Sequence, residues 1–125
     1  MSGANRIVVG YDGSESAGRA LDRAAGLAGY GSTVTVVSVA REPADLDRSR
    51  RLLLEASDRL LLRRTFCTLD ERVGDAAEEL IAAVDERDAD LLIVGNGKDA
   101  LQRFLLGSVS TTLVHRAPCD VLVAR

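Results

Sequence analysis

Four short apolar runs set the frame for this chain: RIVVGY (6–11), TVTVVSVA (33–40), ADLLIVG (89–95) and CDVLVAR (119–125). None shows the strict polar–apolar alternation of a strand with one wet face. Near-continuous apolar runs of this length suit strands covered on both faces, as in parallel sheets. The segments between them change period. In SESAGRALDRAAGLAGYG, Ala17, Ala20, Leu21, Ala24 and Leu27 recur at helical spacing, with Ser14 or Ser16 as N-cap and Gly29 and Gly31 closing the helix. After Pro43, residues 44–64 read as a long helix with Leu46, Leu53, Ala56, Leu60 and Leu61 as its buried stripe. TFCTLDERV (65–73) is a weaker third strand. GDAAEELIAAVDERD follows as a helix, with Asp75 as N-cap, Glu78 at the capping-box position, and Leu80, Ile81 and Val84 on its apolar face. A last helix spans about 108–116, before the final strand.

Strands alternating with helices and no hairpin signal mean an α/β fold: an open five-stranded parallel sheet with helices on both faces, one domain over 1–125. Right-handed crossovers carry successive strands one way until the chain switches sides. Two loops look unlike plain connectors: YDGSES after the first strand, and the glycine-punctuated VGNGKDALQRFLLGSVS (94–110) after the fourth. If strands one and four are neighbours, these loops face each other at the switch point, where open sheets bind ligands. The order is then 3-2-1-4-5.

The charge balance narrows the function classes. A net charge of -3 and 3% aromatic residues argue against a general nucleic-acid binder. Arg48, Arg50, Arg51 and Arg59 stand among Asp45, Asp47, Glu55 and Asp58, the pattern of a salt-bridged solvated face. No export signal and no bilayer-length apolar stretch is visible, so a cytoplasmic protein is expected. One histidine with Cys67 and Cys119 makes a poor zinc site. The two cysteines read as core fillers on opposite edge strands, roughly 19 Å apart and beyond disulfide reach.

The glycine segment suits a phosphate. Gly97 and Gly107 let a ligand approach the backbone, and Gly107-Ser108 opens the last helix, whose first N–H groups have no partner within it. Ser108 and Ser110 offer hydroxyls, and Lys98 offers a flexible cation. Asp12, facing this site from the first strand, suits ribose hydroxyls, or a metal such as Mg that offsets phosphate charge. Plainer readings stand beside these: Ser108 as an ordinary N-cap, Gly95 as a strand stop, Asp12-Gly13 as a turn. The segment is neither a Walker A loop nor the usual dinucleotide fingerprint.

With these residues in view, the chain resembles the universal stress protein family along nearly its whole length, through RIVVGYDGSESAGRAL, VTVVSVA, VGDAAEELIAAVDERDADLLIVG and LLGSVSTTLVHRAPCDVLVAR. The resemblance implies a flavodoxin-like, adenine nucleotide alpha hydrolase-like fold with strand order 3-2-1-4-5. It also implies binding of ATP, AMP or another adenine nucleotide. The family's ATP-binding branch carries G-x-x-G, nine residues, then G-(S/T); here Gly97 and Gly107 enclose nine residues and Ser108 follows. By position, Asp12 corresponds to the aspartate near the ribose and Val39 to the residue whose backbone meets the adenine. Gly97, Gly107, Ser108 and Val109 correspond to the phosphate-holding positions. The first half departs from the pattern. Gly95 and Gly97 are one residue apart, which shortens the loop by about 3.5 Å and bears on the sugar contact of Gly95. The region between strands two and three is also trimmed, which would open the adenine side. The resemblance further implies a regulatory homodimer paired through the C-terminal strand, an exposed apolar edge. Some members bind no nucleotide, so a nucleotide-free interaction module with a vestigial cleft is the alternative. Catalysis reads as weak. Ser108 has no histidine base, His115 lies about two turns further along the helix, and any ATP hydrolysis would be slow.

Overall fold

Hydrophobicity rises toward the middle of the sheet. In a computed structural model describing residues 5–97 and 107–125, β1 (Arg6–Gly10) and β4 (Leu91–Gly95) lie side by side. Their inner residues Ile7, Val8, Val9, Leu92, Ile93 and Val94 are at most 5% exposed. β2 (Thr33–Ala40) flanks β1, with β3 (Thr68–Val73) outside it, and β5 (Asp120–Ala124) flanks β4. The order is β3-β2-β1-β4-β5, parallel throughout, as expected. The chain switches sides between β1 and β4, so their two following loops open on one end of the sheet.

Strand alternation divides the core into two layers. Ile7, Val9, Val34, Val36 and Ile93 pack under α1 (Glu15–Leu27) and α2 (Leu46–Leu61), against Leu21, Leu52, Leu53 and Leu60. Val8, Val37, Leu92 and Val94 pack under α3 (Ala76–Glu86) and α4 (Ser108–Arg116), against Leu80, Val84 and Leu113. No helix of the described residues is long and apolar enough to cross a membrane.

The helix starts are chemically explicit. Ser14, rather than Ser16, caps α1, its hydroxyl accepting from the Ala17 N–H at 3.2 Å. Asp75 caps α3 by accepting from the Glu78 N–H at 3.0 Å. The stripe of α2 differs in detail from the sequence expectation. Ser49, Leu52, Leu53, Ala56 and Leu60 are buried, Leu46 is half-buried and Leu61 is exposed. Residue 61 lies about 100° around the helix from Leu60, off the face that meets the sheet. Leu27, at the end of α1, is likewise exposed.

β3 starts at Thr68, later than expected. The N–H groups of Arg63, Arg64 and Thr65 bond back to the carbonyls of Leu60 and Leu61, and Arg64 takes a left-handed φ of 56°, so these residues end α2. Charges cover much of β3: Arg72 pairs with Asp70, Glu79 and Glu86, and Arg87 pairs with Asp70. On α2, Arg50 pairs with Glu71, and Arg59 with Asp22, as a solvated salt-bridged face requires. Cys67 and Cys119 are free and half-buried just before the two edge strands, and burial pushes both thiols up from their ordinary range.

Candidate functional site

The C-terminal ends of β1, β2 and β4 open into a cleft of about 960 Å³. Of the residues singled out from sequence, Asp12, Val39, Gly95, Gly97, Gly107, Ser108, Val109 and Ser110 all line it. Lys98 lies outside the described residues.

The floor is a backbone contact between two glycines. The Gly107 N–H donates to the Asn96 carbonyl at 2.8 Å, drawing the start of α4 onto the end of β4. Gly97 adopts φ +113°, and a Cβ there would stand 3.2 Å from the Gly107 Cα; a Cβ on Gly107 would stand 3.3 Å from the Gly97 Cα. Neither position has room for a side chain without movement, and Gly97 would also be strained. Gly107, not Ser108, is the N-cap of α4, and no side chain bonds its end. The plainer reading of Ser108 as a cap is therefore corrected: Ser108 is the first helical residue, and Gly107 stands at the cap. Ser108 and Val109 are both exposed at the cleft.

This helix start differs from those of α1 and α3. Both of these have a side-chain cap and acidic residues in the first turn: Glu15 in α1, Glu78 and Glu79 in α3. α4 has neither, and it carries His115 and Arg116 in its last turn. The amides of Ser108, Val109 and Ser110 precede any possible intrahelical acceptor, since the first helical bond runs from the Thr111 N–H to the Gly107 carbonyl. The partial positive charge of the helix start thus faces the cleft uncompensated by the helix itself.

Several nearby groups shape the backbone. The Ser110 hydroxyl donates to the Gly95 carbonyl at 2.7 Å, which ties α4 to β4. Gly95 is packed against α1: a Cβ there would collide with the Ser16 hydroxyl and stand 2.7 Å from the Ala17 N. Ser16 donates to the Gly97 carbonyl at 3.3 Å. Asp12 accepts from the Ser14 N–H through Oδ1 at 2.9 Å, as the turn reading of Asp12-Gly13 requires, and it also lines the cleft. Gly13, at φ +84°, makes the turn possible.

Val39 is placed by the sheet itself. The β1–β2 ladder ends at Gly10↔Val37, where the Val37 carbonyl accepts from the Tyr11 N–H at 2.9 Å. Alternation turns the N–H and C=O of Val39 to that same edge, past the end of β1 and toward the cleft. The trimmed connection after β2 does not leave this side bare. A 3₁₀ turn (Pro43–Asp45) leads straight into α2, and Arg41, Glu42, Asp45, Arg48, Ser49 and Leu52 wall the cleft. Sequence reasoning missed this wall because Arg48 looked like one more member of a solvated face. Ion pairs hold Arg50 and Arg59 elsewhere, whereas Arg48 makes none among the described residues. Among the described residues, no group of three potential ligands is close enough to hold a metal ion.

A model described as the Universal stress protein family matches residues 3–125. The chain belongs to this family. Among curated relatives, a universal stress protein of Mycobacterium tuberculosis is 32% identical over 142 residues, covering 98% of this chain and 97% of that one. A universal stress protein of Methanothermobacter thermautotrophicus is 43% identical over 54 residues, which span 43% of this chain and 37% of that protein. Among solved structures, a universal stress protein in complex with cAMP is 34% identical, with a TM-score of 0.79 and coverage of 99% and 98%. One from Archaeoglobus fulgidus in complex with dAMP shares the fold, with a TM-score of 0.82 at 24% identity and coverage of 97% and 98%.

The packing of Gly95 against Ser16 and Ala17 by itself demands a glycine. Gly95→Ala is therefore expected to destabilise the ligand-free protein by about 1–3 kcal/mol in urea unfolding, the usual result of overpacking. Unchanged stability of the free variant would contradict this structural role.

Proposed function

We propose that the cleft binds an adenine nucleotide, with its phosphate on the first amides of α4, its ribose toward Asp12 and its base toward Val39. The observation that carries the reading is the helix start itself: among the described residues, α4 is the α-helix with no side-chain cap and no acid in its first turn, and that end lines the cleft. An anion there meets bare N–H groups and the positive end of the helix dipole. The cAMP complex of a relative 34% identical to this chain supports the choice of nucleotide class.

Charge bears on which nucleotide. Asp12, Glu42, Asp45 and Asp75 line the cleft against Arg41 and Arg48 among the described residues. That acidic excess opposes a bare triphosphate, and a Mg ion carried in with ATP would relieve it. AMP and cAMP need no such help. We assign no catalytic step, since the single histidine, His115, stands in the last turn of α4, away from the helix start. A cytoplasmic, stress-linked regulatory role fits this reading, because adenine nucleotides are abundant there.

The nucleotide-free alternative draws on one observation: Gly95 and Ser110 both have structural work independent of a ligand. Isothermal titration separates the two. The wild type is expected to bind AMP and cAMP, and to bind ATP more tightly with Mg than without. Asp12→Ala and Gly107→Val should each weaken AMP binding by roughly tenfold or more. A folded wild-type protein that binds none of these ligands would favour the interaction module.

The homodimer through β5 belongs to the same proposal. β5 is an edge strand, with Val121, Leu122 and Val123 only half-buried and its outer backbone edge unpaired in the sheet. Pairing with a second β5 about a twofold axis would cover it. Sedimentation equilibrium is expected to give twice the 13.3 kDa of one chain. A single-chain mass at the highest concentrations tested would refute the dimer.

A further inference from the structure

Two buried hydroxyls on the α2 side of the cleft take no part in the contacts described so far. Ser38 is 2% exposed and Ser49 is 3% exposed, and both line the cleft. Among the described residues neither hydroxyl has a hydrogen-bond partner. Among the described residues no side-chain oxygen fully sealed from solvent lacks a partner, so each hydroxyl keeps some solvent contact, and both residues line the cleft. Other cleft serines differ: Ser14 and Ser110 are bonded to protein groups, and Ser108 is exposed. Buried polar groups are nearly always paired in native proteins, so an unpaired one at a cleft marks a place where something else supplies the partner.

The position of the pair says what that partner is. Ser38 follows Val34 and Val36 on the face of β2 that packs under α2, and Ser49 comes down from α2 beside Leu52 and Leu53. β2 stands two strands from β4, so this wall lies about 10 Å across the sheet from the floor glycines that begin α4. A nucleoside monophosphate covers such a span from phosphate to base. The buried groups on the wall are neutral hydroxyls, while Arg41 and Arg48 remain at the exposed rim. That favours an uncharged polar edge over a second phosphate. Tyr11 and Leu52 add apolar surface beside the hydroxyls.

We propose that Ser38 and Ser49 form a hydroxyl pair that hydrogen-bonds the heterocyclic base of the bound nucleotide, with Arg41 and Arg48 closing over the exposed face of the ring. The proposal rests on the nucleotide reading above and adds residues that read the base. A hydroxyl both donates and accepts, so the pair meets a ring nitrogen and an exocyclic amino group equally well. The planar guanidinium groups suit stacking on a ring.

The test uses Ser38→Ala, Ser49→Ala and the double variant, with AMP by calorimetry and ribose 5-phosphate, a base-free probe, by NMR titration. Each single variant is expected to weaken AMP about fivefold and the double variant tenfold or more, while ribose 5-phosphate stays within roughly twofold of wild type. Melting temperature is expected to hold, because neither hydroxyl bonds a protein group among the described residues. AMP affinity in the double variant within roughly twofold of wild type would overturn the proposal and leave the nucleotide reading intact. Equal losses for both probes with a lowered melting temperature would also overturn it, as a structural effect. A wild type that binds no AMP would sink both readings together.

Discussion

The hydrogen bond from the Gly107 N–H to the Asn96 carbonyl sets the position of everything at the cleft. It pins the first turn of α4 to the end of β4, at the point where the sheet changes direction. Two glycine backbones then lie in contact, and the next amides face outward instead of into protein. A side chain at either glycine would press the helix start and the strand end apart. The anion-facing property of the cleft is thus a consequence of backbone packing, and no charged side chain among the described residues is needed to create it.

Supporting contacts keep that arrangement stiff. Ser110 fastens α4 to the Gly95 carbonyl, and Ser16 fastens α1 to the Gly97 carbonyl. The same small residues that look like ligand contacts in a sequence motif therefore tie α4 and α1 to the end of β4. A motif of this kind records two requirements at once, the close approach of a ligand and the close approach of neighbouring elements. In this chain Gly95 answers the second.

Much of the architecture was legible in the sequence because the signals were strong. Buried runs such as Leu92–Val94 cannot be a wet strand, and the Asp75 cap stands at the spacing its bond requires. The parallel order followed from where the two unusual loops had to meet. The stripe of α2 was less legible. Leu46 and Leu61 look as apolar as Leu53, and only the register of the helix on the sheet shows that Ser49 and Leu52 take the inner positions. The cleft wall escaped for a related reason. Arg41, Arg48 and Ser49 reach it because the 3₁₀ turn after β2 brings α2 in without a loop, and charged or small polar residues give no periodic signal of their own. Val39 was placed by resemblance, yet its geometry has a simple cause: β2 outruns β1.

The central claim is that an anionic nucleotide tail sits on the bare amides of α4. The most direct measurement is an amide chemical-shift titration of the labelled protein with AMP. The largest shifts are expected at Ser108 and Val109, with smaller ones around Asp12 and Val39. Saturable AMP binding that leaves the Ser108 and Val109 amides unmoved would contradict the account.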